Sequence, residues 1–139
     1  MKTILVVEDD RAIRETVVDL LKDEGFANVQ AVRHGKEALT YLESAQTLPA
    51  LILLDLMMPV MDGESFLRTV QQHPNASLRS VPVIVLTASR RRTTLPGAVT
   101  WLDKPIDIER LLALCNEYVG PIERTAPLGA ETADASVAR

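Results

Sequence analysis

The stretch LILLDLMMPVMDG, Leu51 to Gly63, decides how the rest of the chain is read. Four aliphatic residues, Leu51 to Leu54, run without a break, and a carboxylate, Asp55, follows at once. An unbroken apolar run of strand length suits a strand buried on both faces, as in a parallel sheet. A carboxylate at the tip of such a strand is costly to bury unless something pairs with it. Asp55 therefore either reaches water or has partners elsewhere in the chain.

Working outward, runs of the same kind recur. Ile4-Leu5-Val6-Val7 and Val83-Ile84-Val85-Leu86 are equally apolar, and Val29 to Val32 and Val99 to Leu102 are shorter strand candidates. Segments of helical period lie between them. Ile13, Val17, Leu20 and Leu21 share one helical face, as do Ala38, Leu39 and Leu42. Phe66, Leu67 and Val70 form a third stripe, and Ile108, Leu111, Leu112, Cys115 and Val119 a last one. Asp10 is placed to cap the first helix and Gly25 to end it, Gly35 opens the second, and Asp62 can cap the third. The alternation predicts an α/β fold, a doubly wound five-stranded parallel sheet with helices on both faces and right-handed crossovers. Between Thr87 and Val99 there is room for only about two or three helical turns, so a shortened fourth helix is expected there.

The chain has 139 residues, 47% of them apolar and 24% charged, and a net charge of −4. That suits one domain, expected over residues 1–120. Residues 121–139, rich in Ala, Thr, Pro and acids without an apolar stripe, read as a disordered tail. No basic block argues for a nucleic-acid partner. Cys115 is alone, which leaves no disulfide framework and no thiolate metal site. The opening MKTILVVEDD lacks the length and cleavage site of a signal peptide, and no stretch is long enough to span a bilayer. A cytoplasmic protein without membrane contact is the expectation.

In a parallel α/β sheet, ligands bind beyond the carboxyl ends of the strands. Here those ends carry Glu8-Asp9-Asp10, Asp55, Thr87-Ala88 and Asp103-Lys104-Pro105. If strands one, three, four and five are neighbours, several acids, a hydroxyl and an ammonium converge. Crowded acids repel one another, and a divalent cation relieves the repulsion. Oxygen ligands without His or Cys favour Mg2+ over Zn2+. A carboxylate beside such an ion can act as a nucleophile and form an aspartyl phosphate, with Lys104 and the Thr87 hydroxyl sharing the phosphoryl oxygens.

Together, ILVVEDD, LILLDLMMPVMDG, VIVLTA and WLDKPID resemble the receiver domain of bacterial two-component response regulators over about residues 3 to 119. The four motifs in this order are specific, whereas each alone is weak. The resemblance implies the flavodoxin-like strand order 2-1-3-4-5. It implies Asp55 as phospho-acceptor, Asp9 as a direct Mg2+ ligand, Glu8 as a ligand acting mainly through water, and the backbone carbonyl of Met57 as a further ligand. It implies Thr87 as the switch hydroxyl, Lys104 as the phosphoryl-contacting lysine, a cis Lys104-Pro105 bond and Trp101 as the switch aromatic. The implied partners are a histidine kinase or histidine phosphotransfer protein and a downstream protein target. The shortened segment after Thr87 departs from the family pattern, as does Trp in place of Tyr or Phe at position 101. With no output domain after the receiver, a stand-alone receiver is expected.

Each residue also has a plainer reading. Asp10 is better explained as a helix cap than as a ligand. Arg90 to Arg92 read as a solvated run, His34 and His73 as connection residues, Cys115 as core, and Met57, Met58 and Met61 as packing and loop residues. Two alternatives to a phosphorylated signalling module stand. One is a receiver-like interaction module that signals without phosphorylation. The other is an aspartate-nucleophile phosphatase of the haloacid-dehalogenase type; such enzymes carry a general acid two residues after the nucleophile, where this chain has Met57. Turnover of an external substrate is not expected.

Overall fold

The computed structural model describes residues 2–56, 61–88 and 97–120. The strands are β1 (Ile4–Val7), β2 (Val29–Val32), β3 (Leu51–Asp55), β4 (Val83–Thr87) and β5 (Ala98–Asp103). The helices are α1 (Arg11–Asp23), α2 (Gly35–Ser44), α3 (Gly63–Gln71), α4 (Ala76–Arg79) and α5 (Ile108–Val119). All pairings are parallel, in the order β2-β1-β3-β4-β5.

Side chains on a strand alternate between faces, and the three central strands show why their runs have no polar break. Leu5, Val7, Ile52, Leu54, Val83 and Val85 point to one core, which Ala38, Leu42, Phe66, Leu67, Val70 and Leu78 complete. Ile4, Val6, Leu51, Leu53, Ile84 and Leu86 point to the other, closed by Val17, Leu21, Leu111 and Cys115. Each apolar run therefore feeds two cores, and helices cover both faces as the sequence predicts.

The helix ends follow local chemistry. Asp10 accepts a hydrogen bond from the Ile13 N–H at 3.0 Å, and Asp62 accepts one from Ser65 at 2.8 Å. Gly25 follows α1 with φ 105°, a left-handed conformation that glycine adopts without steric cost. Four features differ from the expectations or extend them. The one-turn helix α4, capped by Asn75, was not foreseen. His34 is the N-cap of α2 through its Nδ1, and His73 Nε2 lies 3.3 Å from Glu43. Strand β5 is longer than expected at both ends, with a register shift opposite Val83 and Ile84. The expected fourth helix between β4 and β5, the Arg90 to Arg92 run and the tail at 121–139 fall on residues outside those described.

Candidate functional site

The strand rows that build one core end in polar groups. Glu8 continues the row of Ile4 and Val6, Asp55 that of Leu51 and Leu53, and Lys104 that of Leu102. Because β1, β3, β4 and β5 are neighbours in the sheet, these ends meet. Carboxylate oxygens of Glu8, Asp9 and Asp55 all lie within 4.8 Å of one another. Glu8 and Asp55 are 1% and 3% exposed, so both acids are cut off from water. Lys104 Nζ is 3.2 Å from Glu8 Oε1 and 3.4 Å from Asp55 Oδ1. Asp55 thus has the partner that its place at the end of an apolar strand demands.

The electrostatics follow from burial. Desolvation pushes the Glu8 carboxyl up to about 7, with the charge of Asp55 and a hydrogen bond to it adding to the rise; Lys104 and the Asp10 N–H pull the other way. Burial alone would lower the pKa of the Lys104 ammonium from its ordinary value, but the carboxylates of Asp55 and Glu8 outweigh it and raise it above the ordinary lysine value. One ammonium thus faces two buried carboxylates, Glu8 and Asp55, with the exposed Asp9 carboxylate beside them. The donor set is all oxygen, which fits a hard divalent cation.

The other sequence-predicted residues fall around this cluster. Thr87 is fully buried at the end of β4, and its carbonyl accepts the Lys104 N–H at 2.9 Å. Trp101 pairs in register with Val85 and packs, half-buried, against the core on the α2 and α3 face. It is not part of the acidic cluster. Thr87 continues the row of Val83 and Val85 on that same face, so the hydroxyl and the indole share one side of the sheet. The Lys104-Pro105 bond is cis. Met57 lies outside the described residues. Asp10 serves as the cap of α1, as its plainer reading holds.

Two site features were not anticipated. Arg14 Nη1 donates to the carbonyl of Glu8 at 2.9 Å and to that of Asp9 at 3.3 Å. Gly63 is pressed against the end of β3: a Cβ there would stand 2.8 Å from Leu56 Cα and 2.9 Å from the Asp55 carbonyl oxygen. The Gly63 signal is present in the sequence as Asp-Gly at a helix start, but the close approach is not. Arg14 carries no local signal, since a basic residue on an amphipathic helix reads as solvated.

With the geometry in place, comparison with known proteins decides the family. The model of the response regulator receiver domain matches residues 4–116. The chain belongs to that family. The receiver is 32% identical over 136 residues to the response regulator Rre1 of Synechocystis, covering 94% of this chain and 57% of that protein. It therefore spans little more than half the length of that relative. It is similar in structure to the receiver domain of the sensor histidine kinase PA1611 of Pseudomonas aeruginosa, solved with a magnesium ion in its active-site cleft. That match has a TM-score of 0.74 and 28% identity, and covers 86% of this chain and 98% of the other. The phosphorylated cyanobacterial phytochrome response regulator RcpA matches with a TM-score of 0.72 and 26% identity, over 86% of this chain and 94% of that one. Among the described residues, no helix of the receiver is long and apolar enough to cross a membrane.

Proposed function

We propose that this receiver accepts a phosphoryl group on Asp55 from a phosphohistidine of a partner kinase or phosphotransfer protein. The observation that carries the reading is the cluster of buried Glu8 and Asp55 with exposed Asp9, and Lys104 3.4 Å from Asp55. A carboxylate oxygen of Asp55 attacks phosphorus, the phosphorus–nitrogen bond to the donor imidazole breaks, and an acyl phosphate forms on Asp55. Asp9 and Asp55, with Glu8 through water and the Met57 carbonyl, would hold Mg2+. The ion would neutralise charge on the phosphoryl oxygens. Lys104 moves from a carboxylate partner to a phosphoryl oxygen without leaving the site. Thr87 donates its hydroxyl to the same group, Trp101 turns inward beside it, and the altered surface around β5 engages a downstream protein.

Catalysis here is positioning and charge neutralisation, and the chain is its own substrate. No turnover of external esters follows from this arrangement, because Met57 stands where an aspartate-nucleophile phosphatase needs a general acid. Acetyl phosphate with Mg2+ is expected to load one phosphoryl group per chain, while p-nitrophenyl phosphate is left intact. Sustained hydrolysis of the ester contradicts the reading.

A further inference from the structure

Arg14 sits in the first turn of α1, where its own N–H donates to the Asp10 carbonyl at 2.8 Å. That is an unfavourable place for a cation, since the positive end of the helix dipole is there, and the first turn carries no acid beyond the cap Asp10. The side chain reaches back over the helix start instead. One guanidinium nitrogen, Nη1, holds two consecutive carbonyls, those of Glu8 at 2.9 Å and Asp9 at 3.3 Å. Two consecutive peptide planes tied to one atom set the directions in which the Glu8 and Asp9 side chains leave the backbone. Glu8 Oε2 also accepts the Asp10 N–H at 3.2 Å, so this short turn is braced from both sides.

We propose that Arg14 is a positioning residue for divalent-cation binding, holding the β1–α1 turn so that the Glu8 and Asp9 carboxylates converge with Asp55. The inference rests on the metal-assisted reading of this site, yet its test does not need phosphorylation. Groups that orient metal ligands typically contribute about tenfold or more to metal affinity. Simple electrostatics has the opposite sign: removing a positive charge beside a cation site tightens cation binding.

The test is a Mg2+ titration followed by the fluorescence of Trp101, the single tryptophan, with isothermal calorimetry as a second readout. Wild type, Arg14→Ala and Arg14→Lys are compared. Arg14→Ala is expected to weaken Mg2+ about tenfold, and Arg14→Lys, which keeps a donor and the charge, to recover most of the loss. Arg14 is half-exposed, and a thermal melt without Mg2+ checks that each variant is folded. Unchanged or tighter Mg2+ binding in folded Arg14→Ala overturns the proposal, as does absence of Mg2+ binding in wild type. Mg2+ binding with the expected order of variants, but no phosphoryl transfer from acetyl phosphate, supports the role of Arg14 and rejects the phospho-acceptor reading alone.

Discussion

At the scale of the residue, Glu8 is the site carboxylate whose chemistry its surroundings alter. Its carboxyl is pushed up to about 7, chiefly by burial and then by Asp55. The folded protein therefore keeps a proton on Glu8 across a pH range in which the unfolded chain has released it. The resulting stabilisation is complete below the ordinary carboxyl range and is lost as pH rises through about 7. Mg2+ held by these acids would need them ionised, so its binding would displace that proton. The expected result is Mg2+ affinity roughly tenfold lower at pH 6 than at pH 8, measured by calorimetry in buffers of different ionisation heat to count the released proton. Glu8→Gln is expected to flatten this dependence. Asp55→Asn removes the charge of Asp55 that raises Glu8; the Glu8 titration followed by carboxyl NMR is expected to move to lower pH. An unmoved titration contradicts the coupling of the two acids.

At the scale of the element, the site depends on how tightly helix starts are set against strand ends. Gly63 allows α3 to begin against Asp55 and Leu56, and an added methyl would meet backbone at 2.8 Å and 2.9 Å. Gly63→Ala is expected to cost about 1–3 kcal/mol, as overpacking does, and to weaken Mg2+ binding by displacing the Asp55 and Leu56 backbone. Asp62→Ala removes only the cap of α3, with an expected cost of about 1 kcal/mol in denaturant melts and little change at the metal. Equal effects of the two on Mg2+ would refute a special role for the close approach. The caps at Asp10 and Asp62 were legible in the sequence because an N-cap is a local signal. The cap at His34 was not, because it depends on an imidazole nitrogen free to accept from Glu37. Helix α4 has four residues and one buried side chain, Leu78, too little for a period to show. The contact of Gly35 with Met61 joins positions far apart in the chain, which no local pattern records.

At the scale of the whole molecule, the strands were the most legible part. A run such as Leu51 to Leu54 serves two cores, and that double duty leaves a mark that no amphipathic helix makes. Leu53→Ala is expected to cost about 2–5 kcal/mol in equilibrium unfolding, since Leu53 is fully buried in the core closed by α1 and α5. Loss of the exposed Arg11–Glu15 pair is expected to leave stability unchanged within error. The convergence of Glu8, Asp9, Asp55 and Lys104 was legible too, because strand order converts three separate motifs into neighbours. The Arg14 contacts were not, since they run from a helix side chain to backbone carbonyls and leave no motif. The fold thus spends two apolar cores on holding one polar cluster at the carboxyl ends of β1, β3 and β5.

The central claim is that Asp55 is the phospho-acceptor of a Mg2+-dependent reaction, and intact-mass measurement after brief incubation with acetyl phosphate tests it most directly. Wild type and Asp55→Asn are each measured with Mg2+ and with a chelator. The account predicts a gain of one phosphoryl group in wild type with Mg2+, and none with the chelator or in Asp55→Asn. An equal gain in Asp55→Asn, or a gain in wild type that is indifferent to Mg2+, would contradict it.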